Sequence, residues 1–91
     1  MSLKETINNM LSKDYKERFI AEYQQTKIRY EKLKAFNTEI EASLRTSYNM
    51  YKKVPMPKHD CPDDILREQQ SAMEQYLHIL EVRAKIEGIE L

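Results

Sequence analysis

The stretch from Asp14 to Tyr51, DYKERFIAEYQQTKIRYEKLKAFNTEIEASLRTSYNMY, decides the architecture. It holds no Pro and no Gly, and Phe19, Tyr23, Tyr30, Leu33, Ile40, Leu44, Tyr48 and Tyr51 recur along it, with Thr26 and Asn37 filling the gaps. Steps of mostly three and four residues mark one face of a helix. Such a helix would run for about 57 Å. That is longer than so small a chain is wide, so the helix must be a rod with partners along its side. In heptad terms Phe19, Thr26, Leu33 and Ile40 form one core column, and Tyr23, Tyr30, Asn37, Leu44 and Tyr51 the other. A buried Asn in such a seam sets register or oligomeric state at a cost in stability. Ile20, Ile28 and Phe36 lie off the seam and form a second apolar strip.

Upstream, Ser2-Leu3-Lys4-Glu5 reads as a capping box, and Leu3, Ile7, Met10 and Leu11 share a face. This predicts a helix from about Leu3 to Leu11, too short to stand alone. Asp14-x-x-Glu17 is a second capping signal and opens the long helix. Downstream, Val54-Pro55-Met56-Pro57 cannot be helical, because Pro lacks an N–H and restricts the residue before it. Asp60-Cys61-Pro62-Asp63-Asp64 then starts a last helix, with acids on its positive end. Leu66, Met73, Leu77, Leu80 and Ala84 make its first apolar face. Ile65, Ala72, Ile79 and Ile86 recur every seven residues on an adjacent one, with Tyr76 between. Gly88 is a stop signal, and the tail Ile89-Glu90-Leu91 is placed to fold back.

The expected fold is therefore all-α in a single domain. A short N-terminal helix (3–11) joins a long antiparallel hairpin of helices over 14–51 and 62–87, in an oligomeric bundle. A turn near Met56 pairs Tyr48 with Leu66, Ile40 with Met73, Leu33 with Leu80 and Tyr30 with Ala84. The last helix would then run out near Thr26, leaving Tyr15, Phe19, Ile20 and Tyr23 to the N-terminal helix or to a second subunit. Two strips and an overhang suit a twofold dimer or a multiple of it.

Composition agrees with helix: the 91 residues include one Gly, three Pro and one third charged residues. The formal net charge is zero, yet residues 1–59 carry twelve Lys/Arg against seven Asp/Glu, and residues 60–91 three against eight. Either the arms attract one another, or the first arm carries an anion site. The single Cys cannot form an internal disulfide. No apolar run approaches a membrane span, and no signal-peptide core opens the chain. A soluble, intracellular protein is expected, the lone Cys fitting a reducing compartment.

Catalysis and metal binding find little support. His59-Asp60-Cys61 offers too few metal ligands. His59 and Cys61 sit too close in sequence for a nucleophile–base pair, and nothing suggests an oxyanion hole. His78 has no ligand partner at helical spacing. With one Gly, near the C-terminus, there is no phosphate loop. No cofactor is expected. What remains is aromatic and basic: Arg18, Tyr23, Lys27, Arg29, Tyr30 and Lys34 crowd one part of the long helix, and the register above brings Arg83 to Tyr30. Arg or Lys can meet phosphate while Tyr stacks on a base. The candidate ligand-binding residues are thus Arg18, Tyr23, Arg29, Tyr30, Lys34 and Arg83. The plainer reading makes Tyr23 and Tyr30 core residues with hydroxyls at the rim, and has the charges pair along the helix, as Asp14 with Arg18. Lys52, Lys53 and Lys58 form a basic tip whose few charges would hold nucleic acid weakly.

Two segments carry a resemblance. Asp14-Tyr15-Lys16-Glu17-Arg18-Phe19-Ile20-Ala21-Glu22-Tyr23 with Arg29-Tyr30-Glu31-Lys32-Leu33 is similar to the first helix of small hypothetical proteins of Firmicutes phages and prophages, of the crAss-phage-related type. Cys61-Pro62, Gln69, Met73, Tyr76-Leu77, Leu80-Glu81-Val82-Arg83-Ala84 and Ile86-Glu87-Gly88-Ile89-Glu90-Leu91 resemble that group's second helix and tail. The resemblance implies a phage accessory protein of the host cytoplasm. Its shape is similar to the oligomeric anti-defence hairpins, or sponges, that sequester nucleotide immune signals. The partners it implies are a second copy of the chain and a cyclic nucleotide or ADP-ribose-type ligand. A host defence effector or nuclease, inhibited by binding, and a structural or nucleic-acid-associated helper role remain open alternatives.

Overall fold

The computed structural model describes residues 2–49 and 51–91. A 3-10 turn, Lys4–Thr6, runs into a short helix α1, Ile7–Met10, and the hairpin consists of α2, Tyr15–Arg45, and α3, Asp63–Glu87. The described residues are helical or irregular, with no strand. The molecule measures 55 × 25 × 22 Å with a radius of gyration of 17.0 Å. A compact domain of this length would have about 12 Å, so the chain is the expected rod.

The helix starts follow the sequence. The Asp14 carboxylate accepts the Lys16 backbone N–H at 2.9 Å and caps α2. At the N-terminus the Glu5 N–H meets the Ser2 hydroxyl oxygen at 3.4 Å, half of the expected box, and the first turn tightens to 3-10 rather than α. Pro62 caps α3, with Asp63 and Asp64 in its first turn. At the other end Gly88 takes φ 70°, in the left-handed region. The Ile89 N–H then returns to the Ala84 carbonyl at 2.8 Å, which is the Schellman geometry that buries the residue after the glycine. Ile89 is indeed buried in the main core cluster.

The end of α2 is a correction. The helix stops at Arg45 rather than Tyr51, although neither Gly nor Pro intervenes. Thr46, Ser47 and Asn49 stop it by bonding their side chains to nearby backbone, the mechanism that disfavours such residues inside helices. The Thr46 hydroxyl donates to the Ala42 carbonyl at 2.7 Å and accepts the Val54 N–H at 3.0 Å. The Asn49 side-chain oxygen accepts the N–H groups of Tyr51 and Lys52. Tyr48 and Tyr51 are therefore exposed loop residues, and Leu44 is half exposed; none belongs to the seam.

The register is the second correction. The connection doubles back along α2, with His59 set edge-on to Phe36 at 6.0 Å between ring centroids. Accordingly α3 starts lower on α2 than a turn at Met56 implies. Asn37 Nδ2 donates to the Leu66 carbonyl at 3.1 Å and to Gln70 Oε1 at 2.8 Å. Tyr23 meets Glu81, and Tyr15 meets Glu87. The pairings of Tyr48 with Leu66, Ile40 with Met73, Leu33 with Leu80 and Tyr30 with Ala84 are thus each shifted by about two to three helical turns. The overhang disappears: the C-terminal half of α3 covers Tyr15 to Tyr23.

Phe19, Tyr23, Tyr30, Leu77, Leu80, Ala84 and Ile89 form the core cluster, with Ile20 and Met73 packed against it. Full burial of a Phe or Leu side chain contributes about 1.5–3 kcal/mol. The N-terminal segment docks on the flank of α2, where buried Thr6 accepts a hydrogen bond from Gln25 Nε2 at 2.7 Å. No helix among the described residues is long and apolar enough to cross a membrane.

Candidate functional site

No salt bridge joins the two arms among the described residues. Among the described residues the salt bridges are Arg45–Glu41, Arg67–Asp63 and Arg83–Glu87, each within one helix, and Asp14 does not pair with Arg18. Tyrosine–carboxylate hydrogen bonds join the helices instead. Tyr15 donates to Glu87 at 2.7 Å, Tyr23 to Glu81 at 2.8 Å and Tyr76 to Glu22 at 3.2 Å. Each carboxylate favours the neutral phenol. The hydrogen bond to Glu87 chiefly holds Tyr15 above the ordinary tyrosine range. Burial, with the charge of Glu22, does the same for Tyr76. Burial and the Glu81 bond push Tyr23 up to about 12. All three are hydroxyl donors at neutral pH.

These contacts divide the hairpin into two grooves. One is a cavity of about 330 Å³ lined by Met10, Tyr15, Arg18, Phe19, Glu22, Tyr76, Leu80 and Arg83. Arg83 stands at its centre: Nη2 donates to the Tyr15 hydroxyl at 2.7 Å, Nε to Glu87 at 3.2 Å, and the guanidinium lies 5.1 Å from the Phe19 ring centroid. Arg18 Nη1 donates to the Ser12 carbonyl at 2.9 Å, tying the segment after α1 to the same wall. Tyr15 and Tyr76 remain 46% and 42% exposed, so their rings are open to a ligand. Arg18 and Arg83 share the lining with Glu22, and Glu87 is paired with Arg83 beside it; the volume is at the small end of the range for ligand sites.

The other groove runs along the opposite side. Tyr23, Lys27, Tyr30, Glu31, Glu74, Leu77, His78 and Glu81 line a cavity of about 370 Å³. It continues into a larger one of about 680 Å³ with Val82, Ala84, Lys85, Ile89, Glu90 and Leu91. Its carboxylates outnumber its lysines, so its greater size does not make it an anion site. Tyr23 and Tyr30 are buried here; their faces belong to the core, and Lys27 Nζ lies 5.8 Å from the Tyr23 centroid.

The six candidate residues are thereby separated. Arg18 and Arg83 share the first groove, and Tyr23 and Tyr30 share the second. Arg29 and Lys34 are exposed on α2 and line neither. Arg83 meets Tyr15 and Phe19 rather than Tyr30, a consequence of the shifted register. The groove's aromatic walls, Tyr15, Phe19 and Tyr76, were not among the candidates. Their signal was present in the spacing: Tyr15 and Arg18 are three apart, and Tyr76 and Arg83 seven apart, so each pair shares a helix face. His59 is part-buried, with Nδ1 donating to the Cys61 carbonyl at 2.7 Å. Among the described residues no three His, Cys, Asp or Glu side chains gather as a metal site would require.

Residues 13–86 fit the family model described as Sequestin. No curated protein and no solved structure matches the chain. The matched span takes in the cap of α2, both helices of the hairpin and their connection. By that match the chain belongs to the Sequestin family, whose name denotes a binding, sequestering role.

Proposed function

We propose that this protein is a non-enzymatic phage accessory factor of counter-defence that binds and sequesters a small nucleotide-derived immune signal. The observation that carries this reading is the convergence of Arg18 and Arg83 between the exposed rings of Tyr15 and Tyr76. Guanidinium groups suit phosphate oxygens, and exposed tyrosine rings suit a base or ribose. The family name and the phage-like sequence support sequestration over turnover. Because the groove is open on one side, a second copy of the chain is expected to complete it.

Thermal melts against a panel of cyclic nucleotides and ADP-ribose-type compounds test the reading. A ligand at about a hundredfold its Kd adds about 2.7 kcal/mol of stability, a shift on the order of 10 °C for a chain of this length. No shift with any member at millimolar concentration would overturn it. The exposed apolar face of α3 favours a second reading, inhibition of a host defence protein by direct binding. A stoichiometric host protein recovered on the full chain, together with flat nucleotide melts, would move the assignment there.

A further inference from the structure

The first apolar face of α3 is consumed by the hairpin; the second is not. Ile65 is 49% exposed, Ile79 48% and Ile86 79%, with Val82 also half exposed. Ile65, exposed Ala72, Ile79 and Ile86 form a stripe at seven-residue spacing along the whole helix, with Val82 beside it, the repeat of a helix–helix seam. Tyr76 and Arg83 lie on the flank of this stripe that turns toward Leu80, so the stripe continues into the wall of the Arg18–Arg83 groove.

The charges beside the stripe select an occupant and a direction. On the other side of the stripe Asp64, near the start of α3, and Lys85, near its end, share a flank, while Glu68 takes beside Ile65 the place that Val82 takes beside Ile79. Among the described residues none of the three takes part in an ion pair. In a parallel copy the two acid-bearing flanks lie on opposite sides of the seam, and Lys85 stays a helix length away from the partner's acids. An antiparallel copy sets Lys85 between the acids of its partner, lays Ile65 against Ile86, lays Ala72 against Ile79, and brings the two Tyr76 rings together at the dyad.

We infer that a second copy of this chain docks antiparallel along the Ile65–Ala72–Ile79–Ile86 face of α3, and that the resulting dyad brings the two Arg18–Arg83 grooves together across Tyr76. The partner's α3 roofs the groove that is open in one chain. This rests on the proposed function for the identity of the ligand, but not for the contact itself.

Sedimentation velocity on the full chain, with nucleotide melts run in parallel, tests it. The native protein is expected to sediment as a dimer or a multiple of one. Ile79→Glu, and independently Ile86→Glu, are expected to weaken self-association about a hundredfold, as central interface substitutions do, with helical content unchanged because both side chains are largely outside the core. Lys85→Glu is expected to weaken it, and Glu68→Lys combined with Lys85→Glu to restore it. A native monomer at every concentration, or an assembly indifferent to both isoleucine variants, overturns the contact. Failure of the double charge exchange to recover association overturns the antiparallel register. A monomer that still answers a nucleotide would sink the dimer and spare the sequestering function. A dimer deaf to every nucleotide would do the reverse.

Discussion

Arg83 does several things at once: it bonds Tyr15, pairs with Glu87 and covers the Phe19 ring. A substitution there mixes folding with binding, so Arg18 is the cleaner probe. Arg18→Ala is expected to raise the Kd of the proposed nucleotide ligand about tenfold to a hundredfold, the loss of one charge-assisted hydrogen bond, while Lys34→Ala changes it little. Isothermal titration of both variants separates the groove from the exposed α2 face. Tyr23 makes a pH prediction. Its folded pKa is about 12 against an ordinary 10, so the unfolded chain releases this proton first as pH rises. Its contribution to stability is full below pH 10 and is lost as pH climbs toward 12. Denaturant midpoints across that interval should fall more steeply for the native protein than for Tyr23→Phe. At neutral pH the same variant should lose about 1 kcal/mol with the Glu81 hydrogen bond.

At the level of the elements, the turns carry the specificity. Gly88 holds φ 70° with open space around the position of an added Cβ, so Gly88→Ala meets backbone strain rather than a clash. The expected cost is about 1 kcal/mol, a fall of roughly 4–8 °C in Tm, with Ile89 partly released from the core. An unchanged Tm would show that the Ile89 return is not held by this turn. Asn37 is the polar member of the seam, and its Nδ2 holds Leu66 and Gln70 while Oδ1 is buried with no partner among the described residues. Asn37→Leu removes that oxygen and the anchor together. Its Tm should therefore match or exceed the native value, while amide resonances along the α2–α3 seam broaden as the register loosens. A loss above about 2 kcal/mol would mean that the two donated bonds outweigh the unpartnered oxygen.

The whole molecule is a thin rod, and a thin rod buries little of its own surface. That is why one apolar face of α3 is left over after the hairpin has closed. Scattering from the monomeric Ile79→Glu variant should give a radius of gyration near 17.0 Å. A side-by-side dimer should lengthen the particle little, because antiparallel α3 helices overlap end to end. A long, end-joined particle would be incompatible with the α3 contact.

Helix identity and most helix starts were written in local sequence. Seam residues such as Phe19, Tyr23, Tyr30, Leu77 and Leu80 could be named from spacing, because helical periodicity maps residue number directly onto a face. Asp14, Pro62 and Gly88 marked ends through effects confined to a single turn. The end of α2 at Arg45 was less legible, since Thr46, Ser47 and Asn49 act by side-chain competition that a search for Pro and Gly overlooks. Register lay outside what the sequence could determine. Sliding α3 along α2 by whole turns keeps apolar residues facing apolar residues, so periodicity is nearly blind to it. Tertiary contacts chose among the alternatives: the doubled-back connection, Asn37 on Leu66 and Gln70, and the tyrosine–carboxylate bonds. The candidate groove depends on that choice, because only in this register does Arg83 come to rest beside Tyr15, Arg18 and Tyr76.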